Sequence, residues 1–218
     1  MPERTYTILA ERIPPDSLTI DCRRPQKLYR YSNATWLERS LKLGEFRLRP
    51  SADYKDLLMD SARNDDELVR VQSTEGKYVT ITHVETGQDI KPIGHVSYRS
   101  EIHTNYLVSC FSCVWDPSLF DEFSGSDACL VIHNVDEFCE RMHSAAEAQL
   151  PACVGIDGPV IYGQSSPLGS VFSKPLRFLQ QQEWRFAWMP KGPVKLLDPK
   201  LLSIGSIEGL AELRRRDR

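Results

Sequence analysis

The chain has 218 residues, of which 41% are hydrophobic and 26% are charged, and its formal net charge is -3. This composition excludes disordered and fibrous classes, because a near-neutral chain with this apolar content buries enough surface to offset the entropy of ordering. The slight acidic excess also argues against a generally basic face for nucleic acid.

No segment approaches the roughly 20 consecutive apolar residues that a membrane span requires. The first residues, Met1 to Arg4, lack the apolar core of a signal peptide. We therefore expect a soluble, cytoplasmic protein that contacts no membrane. Its six cysteines are too few for a disulfide scaffold of this length and are expected to be free thiols.

The first elements follow one another closely in the sequence. Residues 1–26 contain prolines that interrupt any long helix, so we interpret them as an N-terminal arm. Residues 27–31 alternate in the manner of a strand, residues 32–35 offer an N-cap for a helix that ends at Gly44, and residues 46–49 predict a second strand.

The rest of the chain is richer in strands than in helices. The most apolar segment, residues 105–115, predicts a buried strand, and residues 183–188 predict a late strand that alternates charged and aromatic side chains. Further strands are predicted at residues 77–83, 94–98, 128–133 and 160–163, a helical turn at 118–123, a helix at 136–149, and a helix or loop at 175–182. Because strands and helices do not alternate regularly, the fold class is predicted to be α+β.

These elements suggest one domain with short extensions. We expect a single α+β domain over residues 27–190, preceded by the arm of residues 1–26. Residues 191–218 are expected to form a C-terminal tail that packs on or extends from the domain, and the basic residues 214–218 are typical of a frayed end.

A Cys-x-x-Cys pair, Cys110 and Cys113, is compatible with a redox pair or half of a zinc site. In a continuous strand, residues three apart point to opposite faces, so the two thiols should diverge. The alternative is that both are ordinary buried cysteines. No spacing completes a familiar metal site, so no metal is expected.

Two charged residues lie in strands of aromatic character. Glu183 stands at the start of the late strand, where neighbouring rings would partly desolvate its carboxylate. Arg30 lies between Tyr29 and Tyr31, where a guanidinium suits a diphosphate and a tyrosine face suits a heteroaromatic ring. The alternative is that Glu183 and Arg185 are surface ion partners and that the tyrosines only pack a sheet.

Several short segments stand in a fixed order between about residues 27 and 190: residues 27–31, 41–44, 46–51, 109–112, Trp115, Phe123, 128–132, 160–163, 172–174 and 182–185. Together they resemble the bacterial family named domain of unknown function 2971. One departure concerns the turn after the second strand, where that family has an Asn-Asp-Pro-Phe-type sequence and this chain has Ser-Ala-Asp-Tyr at residues 51–54.

The order of elements is also similar to the ADP-ribosyltransferase fold of DNA-modifying bacterial toxins. This resemblance implies a mixed, mostly antiparallel split β-sheet with a few short helices. Gln181 and Glu183 resemble the Gln-x-Glu motif of protein-modifying members, which implies that they are catalytic. The resemblance to this fold further implies that Arg30 and Tyr31, together with Ser51 or Tyr54, bind NAD.

The implied activity is transfer of ADP-ribose from NAD to a protein or a nucleic acid. Breaking the bond to nicotinamide develops positive charge on the ribose, which a nearby carboxylate stabilises. Such an enzyme would be a toxin, an anti-phage defence effector or a counter-defence effector, with an antitoxin or immunity protein as its partner. The alternatives are a non-catalytic nucleotide- or protein-binding module of the same fold and a thiol- or zinc-dependent protein.

Overall fold

The computed structural model describes residues 6–10, 23–55, 65–164 and 166–216. The chain divides into two compact units: unit 1 comprises Met1–Asp21 and Val69–Glu101, and unit 2 comprises Cys22–Leu68 and Ile102–Arg218. The domain expected over residues 27–190 is therefore interrupted by the segment that belongs to unit 1.

The strands are β1 Tyr6–Ala10, β2 Leu28–Ser32, β3 Glu45–Pro50, β4 Val69–Glu75, β5 Val79–His83, β6 Asp89–Ile90, β7 His95–Glu101, β8 Leu107–Ser112, β9 Ala128–Ile132, β10 Cys153–Pro159, β11 Ile161–Tyr162, β12 Ser173–Lys174, β13 Glu183–Pro190, β14 Lys200–Ser203 and β15 Ala211–Arg215. The α-helices are α1 Ala34–Leu43, α2 Leu119–Glu122 and α3 Val135–Gln149. The sequence prediction of an α+β fold with a mostly antiparallel sheet and few helices is confirmed.

Unit 1 is built from short antiparallel strands. Strands β1, β5 and β6 form a three-stranded sheet, and β4 pairs with β7 over seven residues. These pairings explain why residues 69–101 separate from the rest, since the segment satisfies its backbone groups within itself and with β1.

Unit 2 contains an eight-stranded sheet with the order β10-β13-β8-β2-β9-β15, to which β3 adds on β8 and β14 adds on β3. The C-terminal segment therefore supplies two strands of the sheet. Arg214 and Arg215 lie in β15, paired with Cys129 and Ala128, so the expected frayed end is wrong for these two residues. Residues 217 and 218 lie outside the described residues.

Helix α1 connects β2 to β3 and has a clear start and stop. The Asn33 side chain accepts a hydrogen bond from the Thr35 N–H at 3.0 Å, which caps the first turn. Gly44 ends the helix with a φ of 67°, in the left-handed region that glycine adopts most easily. These two ends set the length of the helix that separates β2 from β3.

The main core lies between one face of the sheet and helices α1 and α3, where Phe46, Phe111, Phe138 and Phe186 pack edge to face. Two smaller clusters cover the other face, one around Tyr31 and Phe120 and one around Tyr106 and Phe172. Among the described residues, no helix is long and apolar enough to cross a membrane.

Candidate functional site

A cavity of about 750 Å³ opens where the sheet of unit 2 divides. One edge of β8 pairs with β13, but its other edge is shared between two strands. Ser112 pairs with Tyr29 of β2, whereas Val108 pairs with Arg49 of β3, so β2 and β3 diverge along β8. The volume lies within the roughly 300–1,000 Å³ typical of small-molecule sites.

The lining of this cavity carries more cations than carboxylates. Two of the cations are paired within the lining: Arg39 with Glu45 at 2.6 Å and Lys174 with Glu183 at 2.7 Å. An excess of positive charge in a concave site attracts anionic ligands. The charged lining side chains are Arg30, Arg39, Arg47, Arg49, Lys174, Glu45 and Glu183.

Arg30 is held in place beside aromatic rings. Its Nη1 donates a hydrogen bond to Ser109 Oγ at 2.6 Å. Its guanidinium carbon lies 5.2 Å from the centroid of Phe111 and 5.8 Å from that of Phe46, within cation–π range. These contacts fix the guanidinium at the fork between β2 and β3.

Tyr31 lines the same cavity but is 4% exposed and belongs to an aromatic cluster. Its ring lies edge-on to Phe120 at 5.0 Å, and its hydroxyl accepts a hydrogen bond from the Asp116 N–H at 2.8 Å. Burial raises the pKa of this hydroxyl. Strand alternation places the ring on the face of β2 opposite the one where Arg30 contacts Phe46 and Phe111, so Tyr31 mainly packs the sheet.

Ser51 and Tyr54 lie in a 3-10 turn that follows β3, but only Tyr54 lines the cavity. The buried Ser51 hydroxyl donates to Asn105 Oδ1 at 2.8 Å, so it fixes the turn and lies outside the cavity lining. The Arg49 guanidinium stacks over the Tyr54 ring at 5.6 Å. Ser51 and Tyr54 were expected as alternative contacts to NAD, and of the two only Tyr54 lies at the cavity.

Gln181 and Glu183 both line the cavity, on either side of a tight reversal of the chain. Gln181 ends a 3-10 turn and Glu183 begins β13. Gln182 between them has a φ of 39°, a left-handed conformation that is uncommon for a residue other than glycine. This reversal presents both predicted catalytic side chains to one space.

The Glu183 carboxylate is 4% exposed and is bound by two cations. Lys174 Nζ lies 2.7 Å from Oε2, and Arg185 Nε lies 2.6 Å from Oε1. Burial opposes ionisation of this carboxyl, but the charges of Arg185 and Lys174 outweigh it and hold its pKa well below the usual range. Glu183 is therefore an ionised carboxylate at the cavity wall.

Three partners in this network were not predicted from the sequence as site residues. Local signals could have found two of them. Arg185 is two residues beyond Glu183 and therefore on the same strand face. Lys174 ends residues 172–174, one of the segments that carry the family resemblance. Glu67, which binds Arg185, lies 118 residues away in an acidic run, and no local pattern connects the two. The alternative of a surface pair between Glu183 and Arg185 is wrong, because both are buried.

Cys110 and Cys113 contact different surroundings. Cys110 lines the cavity and packs with the cluster around Tyr106, whereas Cys113 packs against the main core. Burial raises the pKa of the two thiols to about 12 and about 11, respectively, which disfavours the reactive thiolate. In the described ranges, no group of three or more His, Cys, Asp and Glu side chains is arranged to hold a metal ion.

In comparisons with known proteins, no family model matches this chain, no curated protein matches it, and no solved structure matches it.

Proposed function

We propose that the cavity of unit 2 binds NAD and that the chain is an ADP-ribosyltransferase-like enzyme with Glu183 as its catalytic carboxylate. One observation carries this proposal: a buried ionised carboxylate, Glu183, and a fixed arginine, Arg30, both line the cavity at the fork of the sheet. Arg30 reaches the cavity from the face of the main core and Glu183 from the opposite face, because the sheet is open between β2 and β3. A strand–helix–strand entry and a late strand that opens with a glutamate are also the order of elements expected from the resemblance.

The chemistry of the lining suits a dinucleotide. The cationic excess suits a diphosphate, which arginine binds through paired N–H donors. Aromatic side chains around the opening suit a nicotinamide or adenine ring. The most accessible of them is Trp36 on α1, which lines the cavity and is 66% exposed. Charge and ring surface together favour a nucleotide over a neutral ligand.

The proposed reaction breaks the bond between ribose C1′ and the nicotinamide nitrogen. Positive charge develops on the ribose as nicotinamide leaves, and the Glu183 carboxylate stabilises it. Each carboxylate oxygen has two acceptor positions, so the contacts to Lys174 and Arg185 leave capacity for a ribose hydroxyl. Gln181 would orient the acceptor, a protein side chain or a nucleic acid.

The test is release of nicotinamide from NAD by the purified chain, together with transfer of labelled ADP-ribose to a cell lysate. Glu183→Gln should lower the rate per folded molecule about 100- to 1000-fold, the usual effect of removing one electrostatic group. Asp157→Asn is the matched control, because Asp157 is another largely buried, hydrogen-bonded carboxylate but does not line the cavity. Equal rates for Glu183→Gln and the unmodified protein would refute the role of Glu183.

The second candidate is a non-catalytic nucleotide-binding module. It is favoured by one observation, that both oxygens of Glu183 are already occupied by cations in a buried position. Under this function, NAD and ADP-ribose raise the melting temperature in proportion to their affinity, and no nicotinamide is released. Circular dichroism of each variant shows whether the fold is retained.

A further inference from the structure

The register of β13 places Glu183 and Arg185 side by side. The two residues are separated by one position, so both side chains project from the same face of the strand. On β8, Ser112 lies opposite Glu183 and Cys110 lies opposite Arg185. The carboxylate and the guanidinium therefore project from neighbouring positions on one face of β13.

The Arg185 side chain is fully buried, and its donors converge on fixed acceptors. Nε donates to Glu183 Oε1 at 2.6 Å. Nη1 and Nη2 bind the two oxygens of Glu67 at 2.6 and 3.0 Å, and Nη1 also donates to the Val171 carbonyl at 2.5 Å. A planar guanidinium held at three acceptors has one orientation, and this orientation determines where its Nε points.

Glu67 and Arg185 lie behind the cavity wall. Neither residue lines the cavity, whereas Glu183 and Lys174 do. Glu67 is 2% exposed, and the Tyr106 hydroxyl donates to its carbonyl oxygen at 3.2 Å, which fixes its backbone. Charges alternate along the row Glu67, Arg185, Glu183 and Lys174, so each ion has an opposite neighbour.

We infer that Arg185, anchored by Glu67, is a positioning residue that holds the Glu183 carboxylate in its orientation at the cavity. This inference rests on the proposed function, because it assigns Glu183 a reacting ligand. Arg185 acts through Glu183 and does not touch the ligand. Lys174 alone holds only one carboxylate oxygen, with a single flexible ammonium group, and does not fix the plane of the carboxylate.

The electrostatics agree with this geometry. Among the groups facing Glu183, the charge of Arg185 is the largest influence that lowers the pKa of the carboxyl, ahead of Lys174. Cys110, Cys113, Tyr54 and Tyr162 are neutral acids whose pKa values are raised mainly by burial. The titratable groups around Glu183 in the described part of the chain are Lys174, Arg185, Glu67, Cys110, Cys113, Tyr54 and Tyr162.

The experiment compares the unmodified chain with the double variant Glu67→Gln/Arg185→Met. This variant removes one charge of each sign and leaves the Glu183–Lys174 pair, so it avoids an isolated buried charge. The kcat for nicotinamide release should fall about 100-fold, as for a small misplacement of a reacting group, with KM for NAD nearly unchanged. The acidic limb of the pH profile of kcat should move to higher pH, because loss of the Arg185 charge raises the pKa of Glu183. Asp157→Asn should leave both unchanged.

A second measurement does not depend on turnover. In carbon NMR of protein labelled at glutamate carboxyls, the Glu183 signal is identified by its loss in Glu183→Gln. Its pKa lies below the ordinary value of 4.5 in the unmodified chain and should rise in the double variant. If NAD is not cleaved but this titration moves, the proposed function fails and the hold of Arg185 on Glu183 stands. If the titration curves of Glu183 coincide in the two proteins, the inference is overturned. It is also overturned if both proteins cleave NAD with the same kcat and the same pH profile.

Discussion

Two largely buried carboxylates, Glu183 and Asp157, lie on opposite faces of the strand pair β10–β13. Glu183 faces the cavity and is bound by Lys174 and Arg185. The Asp157 carboxylate faces α3, where it lies 2.7 Å from His143 Nε2 and accepts a hydrogen bond from Trp184 Nε1 at 2.9 Å. Both carboxyls therefore have partners that favour the ionised form.

The comparison shows that a lowered pKa does not by itself distinguish a carboxylate that lines a cavity from one that does not. Burial opposes ionisation of Asp157, but hydrogen bonds from His143, Arg24 and Trp184 outweigh it and lower its pKa below the usual value. What separates the two carboxylates is access, since Glu183 lines a cavity with cations and rings whereas Asp157 does not. Perturbation together with a cavity is the stronger criterion.

The largest expected difference between the two regions concerns stability. Arg185→Met leaves Glu67 buried without its cation and should lower the free energy of unfolding by about 3–5 kcal/mol. Arg24→Met in the other region should cost about 1 kcal/mol or less, because the Arg24 side chain is 26% exposed and its ion pairs are screened by water. Urea unfolding measures both values, and similar losses would contradict the comparison.

The double variant Glu67→Gln/Arg185→Met sharpens this result. It should be more stable than Arg185→Met alone, because the second change removes the unpaired carboxylate.

An intermediate effect is expected on ligand affinity. Arg30→Ala should weaken binding of ADP-ribose about 10- to 100-fold, the cost of one or two charge-assisted hydrogen bonds to phosphate. Arg24→Ala is the matched control, since it removes an arginine from the Asp157 region and should leave affinity unchanged. Titration calorimetry at two salt concentrations measures both; equal affinities for the two variants would show that Arg30 does not contact the ligand.

The smallest expected effect is on the dependence of stability on pH. Because the pKa of Asp157 is lower in the folded protein than its ordinary value of 3.8, its contribution is present above that value and is lost as pH falls through the folded pKa. The unmodified chain should therefore lose stability more steeply than Asp157→Asn as pH falls below about 4. Urea unfolding at several pH values tests this, and parallel curves for the two proteins would refute it.

Local patterns predicted most of unit 2. The alternation over residues 183–188 identified β13, and the caps at Asn33 and Gly44 fixed helix α1, because these signals depend on neighbours along the chain. The alternation of side chains along a strand also implies that the adjacent residues Arg30 and Tyr31 project from opposite faces of β2. The cavity brings five of the six predicted site residues together, and Ser51 is the exception because its hydroxyl binds Asn105.

The remaining features depend on contacts between distant segments. Nothing near Glu67 indicates that it binds Arg185, since the two residues are 118 positions apart in the chain. The separation of residues 69–101 into another unit likewise depends on their pairing with β1, far earlier in the chain. Composition and periodicity describe one element at a time. They therefore predict neither a contact between distant side chains nor the pairing of distant strands.

Residues 69–101, the segment of unit 1 that interrupts unit 2, begin and end in a way that affects how the chain tolerates a change in their length. The Ile102 N–H donates to the Leu68 carbonyl at 2.9 Å, so the segment leaves unit 2 and returns to it at adjacent points. A loop whose ends are already joined costs only about 0.6 kcal/mol more for each doubling of its length. Changes in the length of residues 69–101 should therefore cost the closure of this junction little, whereas Glu67, just outside the junction, is constrained by its ion pair.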